Sequence, residues 1–294
     1  MTAEMKPTII YQWPDLRFYL TNALAPADSY LLAEPGDTAK SVLGKLQRGC
    51  ECFWFHVDCT ITTNFPTGRA ELLATLSDMD IKVINGHVTD ISKRYLHEFN
   101  RNHDFTDVSA TNIGDPDELI IVKTNYNSLG DTEQYLSAVD LDLLGLNRSE
   151  SVPAGFQYHV RARSSIDATF WSNPALVCER FIRNQYGIWY RAFIRRPKLA
   201  LCQFQSPAPI KKDGKSTHLG TMWLRTDDGS AAQSATASLV LRFIEAFRLD
   251  FGAVDIVTDL KGVAAIIDVN TTPWVGRRAP EFPYLVNVTS YLRD

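Results

Sequence analysis

The last third of the chain holds two β-rich runs, 252–258 and 263–270, joined by Asp259-Leu260-Lys261-Gly262, which has the Asp-first, Gly-last make-up of a type I turn. Such a hairpin constrains fold and chemistry together, because it decides which side chains share a surface. Pairing Asp259 with Gly262 sets Asp255 opposite Ile266. Strand alternation then puts Ile266, Asp268 and Asn270 on the face of Asp255. Two carboxylates on one face repel unless positive charge lies between them. Hard oxygen donors of this kind suit Mg²⁺, which binds through a few carboxylates plus phosphate oxygens. A solvated sheet face would also carry scattered polar residues, but Ile256, Val257, Ile266, Ile267 and Val269 argue against a fully wet hairpin. Asp255, Asp268 and Asn270 are the candidate metal ligands.

The rest of the chain alternates strand-like and helix-like segments, the pattern of an α/β or α+β protein. Residues 8–11, 29–33, 52–57 and 81–84 read as strands, and 68–79 as a helix with Leu72, Leu73 and Leu76 at helical spacing. The Asn85-Gly86 turn signal closes this first lobe. A helix capped by Thr89 or Asp90 then carries Ile91, Tyr95, Leu96 and Phe99. Residues 118–123 form an apolar strand ending in a lysine, and 124–155 are polar and irregular. Residues 175–182 read as a strand, 189–194 and 199–204 as a strand pair, and 231–247 as an amphipathic helix.

Composition narrows the function classes. The chain has 294 residues, a formal charge of -4 and 45% hydrophobic residues, enough for a core spread over two or three lobes. Mild acidity gives no electrostatic reason to expect nucleic acid. No targeting segment or membrane-length apolar run is visible, so a cytoplasmic location is the default expectation. The five cysteines are odd in number and fit free thiols; Cys50, Cys52, His56 and Cys59 lack the spacing of a zinc site and fall on a strand. Asp213-Gly214-Lys215-Ser216 has Pro209 where a P-loop needs glycine, and His97-Glu98 has Arg101 where a zincin needs histidine.

The segment DVNTTPWVG, with Val254-Asp255-Ile256 upstream, resembles the closing metal motif of the ATP-grasp superfamily. The resemblance extends over most of residues 80–276. Lys93, in DISKRYL, is similar to the lysine that opens the central lobe, and Lys123, in LIIVKTNYN, to the strand-end lysine that reaches the phosphates. ALVCERFI resembles the hinge between the ATP-clamping lobes. On that alignment Glu179 meets the adenine amino group, Phe181 and Ile182 supply backbone contacts, and Ile121 and Ile267 sandwich the ring. Arg191, in WYRAFI, is similar to an arginine aimed at the transferred phosphoryl group. Two departures stand out. The phosphate-covering loop, 125–133, keeps only Gly130, although asparagines can adopt glycine-like conformations and would still allow a phosphate-binding turn. The ribose carboxylate is replaced by Asn184 and Gln185.

The resemblance implies two α+β lobes clamping ATP, 89–178 and 179–294, preceded by a small α/β lobe, 1–88. It also implies Mg-ATP as cofactor, with two ions bridged by Asp268. The expected reaction is ligation: a substrate carboxylate, on a small molecule or peptide, becomes an acyl phosphate that an amine attacks. Lys123, Arg191 and Lys211 are the candidate catalytic cations, Lys211 with Arg191 holding the acid. A small-molecule kinase on the same fold is the runner-up, and a non-catalytic nucleotide-binding module the third reading. A homodimer is compatible with this; no membrane or nucleic-acid partner is expected.

Overall fold

Short β-branched and aromatic runs at the start of the chain form a parallel sheet covered on both faces. The computed structural model describes residues 8–13, 19–26, 29–46, 49–144, 152–208, 210, 216–227, 234–275 and 281–293. Strands β1 (Thr8–Gln12), β2 (Tyr30–Leu32), β3 (Cys52–His56) and β4 (Lys82–Ile84) lie in the order β2-β1-β3-β4. Helices α1 (Leu20–Leu24), α2 (Ala39–Lys45) and α3 (Arg69–Asp78) fall between them in sequence. Alternation divides the strands: Ile9, Tyr11, Phe53 and Phe55 join Val42, Leu72 and Leu76 in one core. Ile10, Trp54 and Ile84 join a second core with Leu20, Leu24 and residues from the carboxyl-terminal sheet.

Helix α4 (Lys93–Asn102) starts later than the sequence suggested. Ser92 is its cap, accepting from the Tyr95 N–H. Residues 89–91 stay extended because they bond to 60–62: the Thr62 N–H reaches the Thr89 carbonyl at 2.7 Å and the Ile91 N–H the Thr60 carbonyl at 2.9 Å. Asp90 accepts from the Ser92 N–H, a turn that precedes the helix.

A three-stranded antiparallel sheet comes next, order β6-β5-β7, from β5 (Leu119–Thr124), β6 (His159–Ala162) and β7 (Leu176–Arg180). The polar stretch after β5 contains a 3-10 turn (Asn127–Gly130) and the short helices α5 (Asp131–Tyr135) and α6 (Ala138–Leu143); α7 (Ala168–Ser172) precedes β7. Ile120 and Val122 pack with Leu176 and Cys178, so Ile121 and Lys123 face the other way.

The carboxyl-terminal sheet is five-stranded and antiparallel, order β10-β9-β8-β11-β12. Its strands are β8 (Asn184–Arg195), β9 (Lys198–Gln205), β10 (Thr217–Arg225), β11 (Phe251–Asp259) and β12 (Ala264–Asn270). Helix α8 (Ala235–Phe247) buries Val240, Phe243 and Ile244 on one face, with Leu96 and Phe99 of α4. Helix α9 (Pro283–Arg293) packs on the opposite face through Leu285, Val288 and Leu292. No helix among the described residues is long and apolar enough to cross a membrane.

The β11–β12 hairpin corrects the expected register. Asp259 pairs with Val263, its N–H reaching that carbonyl at 2.9 Å, and Gly262 takes a positive φ of 83°. The loop is therefore one residue longer than a two-residue turn. That shift alone would have turned Asp268 to the wrong face. A bulge restores the alternation: Ile256 pairs with Ile266 but Asp255 pairs with Asp268, leaving Ile267 as the extra residue. Asp255, Asp268 and Asn270 share a face as expected. Ile266 does not; it joins Val254 and Ile256 in the core against α8.

Candidate active site

Asp268, Asp255, Arg191, Cys202 and Thr221 form one cross-strand row, each paired with the next through β12, β11, β8, β9 and β10. Directly paired side chains on one face lie within contact range. Asp255 and Asp268 are both buried, at 3% and 7% exposure. Two cations balance them. Lys93, at the first turn of α4 and 2% exposed, donates to Asp268 Oδ1 at 3.1 Å. Arg191 Nε lies 3.2 Å from Asp255 Oδ1, a charge contact without hydrogen-bond alignment. Burial works to lower the Lys93 pKa, but Asp268, Tyr158 and Glu179 together outweigh it and hold the ammonium above its ordinary range.

Asn270 completes the strand end. Its Oδ1 accepts from the Thr272 backbone N–H at 2.8 Å and from the Thr272 hydroxyl at 3.3 Å, which orients the amide. Gly252 makes this approach possible: its φ is 155°, and a β-carbon there would stand 2.4 Å from the Asn270 carbonyl oxygen. Two opposed carboxylates and an amide oxygen are hard donors suited to Mg²⁺, with room left in its shell for phosphate oxygens. Among the described residues, no group of three or more His, Cys, Asp or Glu side chains could hold a metal.

A cleft of about 730 Å³, its open mouth included, lies between the three-stranded and five-stranded sheets. Lys93, Ile121, Lys123, Glu179, Phe181, Ile182, Asn184, Ile267 and Asp268 all line it. Ile121 comes from the central sheet, and Ile267, with Val257 and Trp189, from the carboxyl-terminal one. The bulge explains Ile267: the extra residue reaches the cleft beside Asp268. Phe181 donates its N–H to the Leu119 carbonyl at 2.8 Å. Asn184 donates its amide N–H to the Ile188 carbonyl. Lys211 lies outside the described residues.

Glu179 is the most constrained side chain of the site. It is 2% exposed, with Lys123 Nζ 2.5 Å from Oε2 and His97 Nε2 3.0 Å from Oε1. Burial pushes its carboxyl up, but Lys123 and His97 prevail and hold it at about 2. In the sequence His97 entered only through the failed zincin pattern and was not assigned to this site. Its signal is helical: it stands one turn after Lys93, on the same buried side of α4. Asp58 was missed as well, although a carboxylate directly after an apolar parallel strand is a placement that faces ligands in open α/β sheets. In the loop the left-handed conformations do not fall on the asparagines that could have taken them. Ser128, Leu129 and Gly130 carry the positive φ values, at 48°, 65° and 75°.

No protein-family model and no curated protein matches the sequence. Solved structures do match it. One is the ATP-grasp ligase PsnB complexed with precursor peptide PsnA2 and AMPPNP, at TM-score 0.52 and 12% identity over 99% of this chain and 98% of that one. Another is a Chryseobacterium gregarium RiPP-associated ATP-grasp ligase in complex with ADP and a leader and core peptide, at TM-score 0.52 and 11% identity over 99% and 96%. A third is a RimK domain protein ATP-grasp from Sphaerobacter thermophilus, at TM-score 0.50 and 14% identity over 98% of both chains. These likenesses span nearly the whole chain and include all three sheets, and on them the chain has the ATP-grasp fold.

Proposed function

We propose that the chain is an ATP-dependent ligase that activates a substrate carboxylate as an acyl phosphate for attack by an amine. One observation carries the reading: a single cleft joins an apolar slot, Ile121 and Ile267, to the buried pair of Lys93 and Asp268. That is the polarity of a nucleotide, with a flat apolar base at one end and charge at the other. Similar structures holding AMPPNP or ADP together with peptides add support.

In this reading adenine lies between Ile121 and Ile267. The ionised Glu179 keeps lone pairs beyond those used by His97 and Lys123 and accepts from the exocyclic amino group. The Phe181 carbonyl and the Ile182 backbone meet the base edge, and Asn184 Oδ1 accepts from a ribose hydroxyl. Asp255, Asp268 and Asn270 would hold Mg²⁺, as two ions in our reading, and the metal would neutralise phosphate charge when bound. Lys93, Lys123 and Arg191 carry the remaining positive charge for the triphosphate. A carboxylate oxygen of the substrate attacks the γ-phosphorus and ADP leaves. The amine then attacks the acyl carbon, inorganic phosphate leaves and the nitrogen releases a proton. The acid is a small molecule or a peptide side chain, held by Arg191 with Lys211. Lobes 1–88, 89–178 and 179–294 divide the work, the last two enclosing the nucleotide.

Calorimetric titration with ATP, with and without Mg²⁺, tests the reading. Mg²⁺-dependent binding that is lost in Asp255→Asn is the expected result; a chain that binds no nucleotide overturns it.

A further inference from the structure

The turn after β5 is held from outside the cleft. Ser128, Leu129 and Gly130 are three successive left-handed residues, two of them bearing β-carbons. Such conformations cost free energy and persist only where the surroundings impose them. The imposing groups sit at 58–60, just past the carboxyl end of β3. The Thr60 hydroxyl accepts from the Asn127 N–H at 2.9 Å, and the Thr60 N–H donates to Glu133 Oε1 at 2.7 Å, so one residue grips both ends of the turn. Asp58 Oδ2 accepts from the hydroxyls of Thr132 and Tyr19, each at 3.0 Å. Asp58 Oδ1 accepts from the Thr272 hydroxyl at 2.5 Å. Thr272 in turn orients Asn270 through its backbone N–H.

We propose that Asp58 is a positioning residue: by bonding Thr132 and Thr272 with one carboxylate, it sets the turn 127–133 against the Asn270 end of β12, and recognition of a nucleotide's terminal phosphate depends on that bond pair. The inference rests on the nucleotide reading above. An ionised carboxylate accepts several hydroxyl bonds at once. An amide keeps one accepting oxygen and offers an NH₂ to the other hydroxyl, but it carries no charge, so both charge-assisted bonds are lost. Asp58→Asn therefore loosens the turn from the strand end while barely changing volume. The base slot at Ile121 and Ile267 lies on other elements and is left as it was.

The test is calorimetric titration of the full chain with Mg-AMPPNP and with Mg-ADP. Asp58→Asn and Thr132→Val should each weaken Mg-AMPPNP roughly tenfold or more, with about twofold or less for Mg-ADP, as expected when a bond to a charged group is lost. Thr132→Ser, which keeps the hydroxyl, should restore the wild-type ratio, and the double variant should be no worse than Asp58→Asn alone. Thr132→Val, a hydroxyl-to-methyl exchange, carries the test should Asp58→Asn not fold. An unchanged AMPPNP-to-ADP ratio, or equal losses for both nucleotides, overturns the inference while leaving the nucleotide reading intact. A wild-type chain that binds neither nucleotide overturns both.

Discussion

Asp255 stands directly opposite Asp268 across the β11–β12 ladder, at the point where two residues of β12 oppose one of β11. Two buried carboxylates in that relation need cations nearby, and Lys93 and Arg191 supply them from α4 and β8. Breaking a buried pair leaves one charge uncompensated, whereas removing both charges does not. Lys93→Met and Asp268→Asn should each cost about 3–5 kcal/mol of stability, and the double variant less than their sum. Urea unfolding of the four proteins checks this; strictly additive losses would mean the two side chains are not coupled.

Neighbouring isoleucines on β12 should behave in opposite ways. Ile266 is 1% exposed in the core against α8, while Ile267 lines the cleft. Ile266→Ala should cost about 2–5 kcal/mol of stability and leave nucleotide affinity near wild type. Ile267→Ala, and Ile121→Ala across the slot, should instead weaken Mg-ATP roughly tenfold, the effect of uncovering part of an apolar base. Paired unfolding and titration measurements decide it. A shared loss of affinity in Ile266→Ala and Ile267→Ala would mean that the bulge does not separate the two faces.

The same strand shows what was legible in sequence. Alternation placed Asp255, Asp268 and Asn270 on one face, and the structure agrees, but through two compensating irregularities that alternation does not encode. Apolar runs located β5 and β7, and the resemblance to ATP-grasp motifs, rather than any local pattern, pointed to Lys93, Lys123 and Glu179, which line one cleft. The Asp58 network was not legible. Its members come from β3, the turn after β5 and the end of β12, and no local pattern links positions 58, 132 and 272. Polar loops conceal this kind of contact because serine, threonine and asparagine have many local roles there. Strand β10 was hidden for a related reason: Thr217, Gly220 and Thr221 dilute its apolar pattern, and a register shift near Gly220 interrupts it.

Acid should unmask the Glu179 pair. Its carboxyl titrates at about 2 in the folded chain against 4.5 ordinarily. A depressed carboxylate stabilises the fold fully above the ordinary value, and that stability is lost as pH falls from about 4.5 through about 2. The amount is roughly 3 kcal/mol, at about 1.4 kcal/mol per unit. His56 adds to acid lability from a higher pH, because burial holds it at about 3 against 6.5 and the unfolded chain takes the proton first. Unfolding free energy should therefore fall from about pH 6.5 downward. Glu179→Gln should flatten the lower part of the profile, between pH 4.5 and 2, and His56→Phe the part beginning near 6.5. A Glu179→Gln profile parallel to wild type below pH 4.5 would contradict the ion pairs drawn here.

Reaction type is decided by the fate of the first phosphorylated species. A ligase leaves an electrophilic acyl carbon that needs a second nucleophile and protection from water, whereas a kinase needs only an acceptor hydroxyl, normally aided by a base. Arg191 stands in the row directly after Asp255, half-buried, where it can hold a carboxylate beside the transferred group. Hydroxylamine is a small, reactive substitute for the unknown amine. Incubation with Mg-ATP, a panel of carboxylic acids and acidic peptides, and hydroxylamine should yield ADP together with a hydroxamate of the accepted acid. Arg191→Met should weaken Mg-ATP binding only about tenfold but reduce hydroxamate formation by on the order of a hundredfold or more, the loss expected when one charge-stabilising donor is removed. ADP with a phosphorylated alcohol and no hydroxamate would make the chain a kinase. Tight Mg-ATP binding with no ADP formed from any acceptor would favour a nucleotide-binding module, since the cleft would then recognise the triphosphate without transferring it.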